Sequence, residues 1–150
     1  MIIKACESDL VEIVGLIIQM YREGGYDSIL RNDAETFILQ AYLDMYNNQQ
    51  AQHFLIKSEL KIVSCAGAFI KTDMLSTFRK MPYFGFISNV YTIPEHRNQG
   101  YATLLTKRSI DWLKENGIRD IKLVSTENSR KIYERIGFKP TDEMILALED

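Results

Sequence analysis

The sequence predicts an α+β fold, an α/β sandwich whose central mixed sheet carries helices on its faces. Three observations predict it. Short β-branched and aromatic runs alternate along the chain with stretches whose apolar residues recur at helical spacing. The longest such run, Tyr83–Ile93, empties through a glycine-bearing loop into a strong amphipathic helix, Tyr101–Glu115. At 150 residues, 46% hydrophobic and 25% charged, the chain suits one soluble domain over 1–150, with no repeat or linker to divide it.

Each element has its own signal. Ile2–Lys4 is a short apolar edge strand. Ser8 is the expected N-cap of a helix in which Leu10, Ile13, Val14, Ile17, Ile18 and Tyr21 share a face and which Gly24-Gly25 stops. A second helix begins after Asn32 or Asp33 and should bury Phe37, Ile38, Ala41, Tyr42 and Met45. After the polar break Asn47–Gln50, His53–Lys57 and Lys61–Ile70 read as strands joined by a tight turn at Ser58-Glu59. Lys71–Pro82 is a loop and Tyr83–Ile93 a central strand. The helix Tyr101–Glu115 carries Leu104, Leu105, Trp112 and Leu113, with Ile110 off the stripe, and ends at Asn116-Gly117. Asp120–Val124, Asn128–Ile136 and Glu143–Leu148 read as strand, short helix and final strand.

Composition removes several function classes. A net charge of −2 argues against general nucleic-acid binding. No apolar span is long enough to cross a membrane, and no basic-then-apolar leader is present, so a cytoplasmic location is expected. Cys6 and Cys65 stand far apart without C-x-x-C or a nearby His, so they read as small buried apolar residues, and no metal or disulfide is expected. Pro94–Pro140 carries ten basic and six acidic side chains, leaving the remainder acidic. That asymmetry suits a small polyanionic ligand on the basic half and a cationic substrate near the acidic half.

The segment Val90–Ala102, VYTIPEHRNQGYA, focuses the reading. A strand that passes through a glycine-bearing loop into a helix leaves unpaired backbone N–H groups at the positive end of the helix dipole. Asn98, Gln99, Gly100, Tyr101 and Ala102 offer successive donors, and small side chains at Gly100 and Ala102 allow close approach of an anion. No Gly-Lys-Ser/Thr follows, so the loop is not a Walker motif; only one glycine is present, so it is not a dinucleotide fingerprint either.

Arg97-x-x-Gly100-x-Ala102 resembles the Gln/Arg-x-x-Gly-x-Gly/Ala motif of the GCN5-related N-acetyltransferase (GNAT) superfamily. Ser129–Phe138, SRKIYERIGF, resembles that family's short Tyr-bearing helix, and the element order agrees over nearly the whole chain. The resemblance implies an acetyl-CoA-dependent N-acetyltransferase. Arg97 to Ala102 would wrap the pyrophosphate. Val90, Tyr91 and Thr92 would lie on a strand that splays from its parallel neighbour near Leu123–Ser125, with pantetheine in the gap. A main-chain N–H near Val90 would polarise the thioester carbonyl, and Tyr133 would be the general acid that protonates the departing thiolate. Where family members often carry Asn and Ala, seven and four residues before the Tyr, this chain has Thr126 and Ser129; Ser125, Asn128 and Arg130 are the candidate CoA contacts there.

The implied acceptor is a primary amine of a small molecule or peptide, attacked directly, in an enzyme that could be a homodimer. The general base is open among Glu35, Asp27, Tyr91 and the pair Ser88-Asn89. His53 reads as a strand-edge residue and His96 as a neighbour of the phosphate loop. Trp112 reads as core packing; Tyr21, Tyr26, Tyr42 and Tyr46 line either an acceptor cleft or the core. The alternative function is a non-catalytic CoA-binding sensor or interaction module.

Overall fold

The computed structural model describes residues 1–148. Five strands, β1 (Ile3–Lys4), β2 (Ala51–Ser58), β3 (Lys61–Lys71), β4 (Phe84–Thr92) and β5 (Ile121–Leu123), form one sheet in sequence order. The first four pair antiparallel; β4 and β5 pair parallel, which requires a crossover, supplied by helix α3 (Tyr101–Glu115). Helices α1 (Leu10–Glu23) and α2 (Ala34–Asn47) cover one face; α3 covers the other, with α4 (Arg130–Ile136) beside it.

Both faces of the sheet are covered, so the middle strands read as continuous buried runs, six residues in β2 and eight in β3. Successive side chains still alternate: Phe54 and Ile56 join Leu105, Trp112 and Leu113 of α3, while Leu55 joins Leu10, Ile13 and Ile17 of α1. Leu105 and Leu113 are fully buried, and each such side chain contributes about 1.5–3 kcal/mol relative to exposure.

Several local expectations are corrected. Glu143–Leu148 forms no strand, and Met144, Ile145, Leu146 and Leu148 are exposed. The cap before α1 is not Ser8: a 3₁₀ turn spans Glu7–Asp9, and the Asp9 carboxylate accepts the Cys6 N–H at 2.9 Å. That geometry leaves Cys6 exposed, while Cys65 is buried. Phe37 is exposed beneath the Arg31 guanidinium, 4.0 Å from its ring centroid, because α2 rests on the molecule by a narrow face and buries only Ala34 outright. His53 is no edge residue but lies inside β2, fully buried.

Candidate active site

The register of β4 builds the site. On its β3 side, Ser88 pairs with Gly67 and Tyr91 with Cys65, so two residues of β4, Asn89 and Val90, oppose the single Ala66. Asn89, the first of the two, adopts φ +58°, in the left-handed region. On its other side, β4 pairs with β5 only from Gly85 to Ile87. That pairing ends at Leu123, the last residue of β5, so Asn89 and Val90 have a ladder partner on neither side. Tyr91 and Thr92 follow, paired with Cys65 and Ser64 of β3 and with nothing on the β5 side; Ser125 lies beyond the end of β5.

The loop at the end of β4 presents main-chain donors. After a 3₁₀ turn at Pro94–His96, Asn98 and Gly100 both have positive φ, +62° and +76°. No side chain caps α3, whose first-turn N–H groups at Tyr101 and Ala102 remain available. A Cβ built on Gly100 meets nothing within 4 Å, so the space beside Gly100 is open. Free N–H groups at the positive end of a 15-residue helix are able to hold an anion. Gln99 accepts a hydrogen bond from the Tyr101 hydroxyl at 2.9 Å, which braces the loop.

The Arg97 side chain faces back onto the protein. Its guanidinium donates to Glu23 Oε2 at 2.7 Å and to the Thr92 carbonyl at 2.8 Å. The Tyr91 hydroxyl donates to the other Glu23 oxygen at 2.5 Å. The Tyr91 hydroxyl and the Arg97 guanidinium hold the Glu23 carboxyl below its ordinary range. Burial and the adjacent carboxylate push the Tyr91 phenol up to about 12, so Tyr91 is a donor here.

Tyr133 is buried on α4, edge-on to Phe138 at 6.1 Å. Its hydroxyl makes no hydrogen bond among the described residues, and burial raises it above 10, so it is protonated at neutral pH. Just before α4, Thr126 and Ser129 grip one another: their hydroxyls lie 2.9 Å apart, and the Thr126 N–H donates to Ser129 Oγ at 3.0 Å. These are the two positions that depart from the family pattern, so they act as a pair, opening the turn into α4. Asn128 and Arg130 flank Ser129 and are exposed.

The other candidates separate. Asp27 and Glu35 line an open pocket of about 480 Å³ at the α1–α2 junction. Tyr42, Tyr46 and Asn89 instead converge on His53. Sequence reasoning missed Glu23, Gly67 and His53 as members of the site's surroundings. The one available signal was polar residues, His53 and Ser88-Asn89, inside otherwise apolar strands.

The model of the acetyltransferase (GNAT) family matches residues 17–138. The chain belongs to the GNAT family of acetyltransferases. It is therefore an acetyltransferase. This acetyltransferase is similar to aminoglycoside N(6')-acetyltransferase type 1 of Acinetobacter haemolyticus, 24% identical over 77% of this chain and 81% of that protein. It is also similar to N-alpha-acetyltransferase 30 of Schizosaccharomyces pombe, 40% identical over 57 residues; that stretch spans 36% of this chain and only 38% of the yeast protein. Among solved structures, a predicted acetyltransferase from Clostridium acetobutylicum with acetyl-CoA superimposes with TM-score 0.87 at 23% identity, covering 99% of this chain and 95% of that one. A GCN5-related N-acetyltransferase from Ralstonia eutropha gives 0.86 at 22% identity, covering 99% and 97%.

Proposed function

We propose that this acetyltransferase moves acetyl from acetyl-CoA to a primary amine of a small molecule or peptide by direct attack. The observation that carries the reading is the sequence of features along β4: a stretch with no ladder partner at Val90, followed within a few residues by an uncapped, left-handed loop. Pantetheine would extend along Val90, Tyr91 and Thr92 in the gap. The N–H groups of Asn98, Gln99, Gly100, Tyr101 and Ala102 would hold the pyrophosphate, with Arg97 setting the loop and Ser125, Asn128 and Arg130 adding contacts from the β5–α4 side.

In this scheme the neutral amine attacks the thioester carbon, and a C–N bond forms as the C–S bond breaks. The Val90 N–H stabilises the carbonyl oxygen as it gains charge. Tyr133 gives its proton to the leaving thiolate, and the surplus proton of the amine passes to solvent or a base. The two curated relatives are named for amine acetylation, which supports an amine acceptor. The same reading makes the protein a single-domain cytoplasmic enzyme over 1–150; a homodimer would show as a doubled mass in sedimentation.

Calorimetric titration with acetyl-CoA tests the reading, on wild type and on Arg97→Ala and Gly100→Trp. Binding that Gly100→Trp abolishes supports it, and an amine screen reading free thiol release then identifies the acceptor. A folded wild type that binds no acetyl-CoA overturns it.

A further inference from the structure

One buried titratable side chain has no part in the reaction as proposed. His53, in the interior of β2, is fully buried. Its backbone N–H donates to the Tyr46 hydroxyl at 2.9 Å, and its Nδ1 lies 3.0 Å from the same oxygen. Its Nε2 lies 3.1 Å from the side-chain amide nitrogen of Asn89, on β4. That same amide donates to the Tyr42 hydroxyl at 2.7 Å. With the amide as donor, Nε2 is the acceptor and the ring proton sits on Nδ1, directed at Tyr46. Desolvation holds the imidazole far below its usual range, to about 3, so the ring is neutral throughout the physiological range.

The contact between β2 and β4 reaches across β3, which is unusual, since the intervening strand ordinarily fills that space. Here the β3 residue opposite His53 is Gly67. A Cβ on Gly67 would stand 2.8 Å from His53 Nε2, closer than a Cβ carbon comes to a non-bonded atom. The missing side chain therefore lets the imidazole lie over β3 and reach Asn89. Asn89 is the residue whose left-handed backbone makes the bulge, and it stands immediately before Val90. Asn tolerates that conformation better than most residues, but an isolated Asn visits it as one state among several. Bonds that its one side-chain amide donates to Tyr42 and to His53 select it. A thiol contact from Cys65 to the Asn89 carbonyl, at 3.3 Å, holds the other side of the same residue.

We propose that His53 is a positioning residue: through Asn89, and over Gly67, it locks the bulge that directs the Val90 N–H into the gap between β4 and β5. It touches neither substrate nor reacting atoms. The inference rests on the proposed acetyl-CoA reaction, because the Val90 N–H matters only if a thioester carbonyl lies against it. Its physical content is preorganisation: a donor already aimed at the oxyanion needs no rearrangement as charge develops.

The test compares His53→Phe, which keeps a ring but removes both nitrogens, with His53→Gln, whose amide oxygen can accept from Asn89 in place of Nε2. Losing an oxyanion donor outright costs roughly 10²–10³-fold in kcat, so a misaimed one is expected to cost about 10–100-fold. His53→Phe should lose that much in acetyl transfer while binding CoA, which has no acetyl carbonyl, as wild type does. His53→Gln should recover most of the rate. In the ligand-free protein, backbone chemical shifts should show Asn89 leaving the left-handed region in His53→Phe but not in His53→Gln. If His53→Phe does not fold, Asn89→Gly, which keeps the left-handed backbone, should retain more activity than Asn89→Ala.

Unchanged Asn89 shifts or unchanged kcat in folded His53→Phe overturn the proposal. So do equal losses in both His53 variants that track their melting temperatures, which mark a purely structural residue. A wild type that fails to bind acetyl-CoA overturns the parent reading as well, and is recognised before any variant is made.

Discussion

Arg97 and Glu23 form an ion pair at 2.7 Å that ties the end of α1 to the loop between β4 and α3. The motif arginine is thus a brace for the loop, held by Glu23 and the Thr92 carbonyl. Both partners are part-exposed, so the pair is worth about 0.2–1 kcal/mol. Glu23→Gln should lower stability to urea by that order. The bonds from Tyr91 and Arg97 depress the Glu23 carboxyl below 4.5. Its contribution is therefore fully present above pH 4.5 and lost as pH falls through the lower folded value; Glu23→Gln should flatten that part of the stability curve.

Gly100 allows two effects to be separated. Its φ of +76° penalises any side chain, by about 1–2 kcal/mol. The open space before it means that alanine meets no clash. Gly100→Ala should cost stability in denaturation while leaving a folded protein, and Gly100→Trp should additionally abolish acetyl-CoA binding in calorimetry.

Tyr133→Phe removes one hydroxyl that has no hydrogen-bond partner among the described residues and keeps the ring packed on Phe138. The expected result is near-native stability and near-native acetyl-CoA affinity, with kcat lowered by about 10²-fold or more. An unchanged kcat would remove Tyr133 from the reaction.

His53 should make the protein sensitive to mild acid. Burial holds its folded value near 3, against 6.5 when unfolded. The unfolded chain takes up the proton first, so the contribution of His53 is constant above pH 6.5 and falls below it, by up to about 1.4 kcal/mol per pH unit. The depressed carboxylates Asp9, Glu23 and Asp73 act only nearer pH 4. The slope between pH 6 and 5 should therefore disappear in His53→Gln, as read from urea midpoints.

Leu146 is 81% exposed in the segment where a final strand was expected. Leu146→Ser should shift stability by less than about 0.5 kcal/mol. A loss of several kcal/mol would mean that the segment is buried in solution.

What was legible in the sequence depended on short-range periodicity. Leu10, Ile13, Val14 and Ile17 repeat at helical spacing and all line the buried face of α1. The loop before α3 was legible for the same reason, since glycine, the following helix and the preceding strand are all local. Met144, Leu146 and Leu148 alternate as a strand would, but alternation records only which residues could be buried together. It does not supply a partner strand, and among the described residues none is found there.

The sequence by itself determined the order of strands and helices as far as Ile136, the glycine-bearing loop before α3 and the family, because these rest on neighbours in the chain. The tertiary structure alone decided that Arg97 turns to Glu23, 74 residues away, and that His53 meets Asn89, 36 residues away, across Gly67. Those contacts depend on strand register and on the empty space above a glycine. Turn geometry and alternation fix the register of one hairpin, but a contact between strands two apart depends on both registers and on the bulge together, which no single stretch of sequence carries.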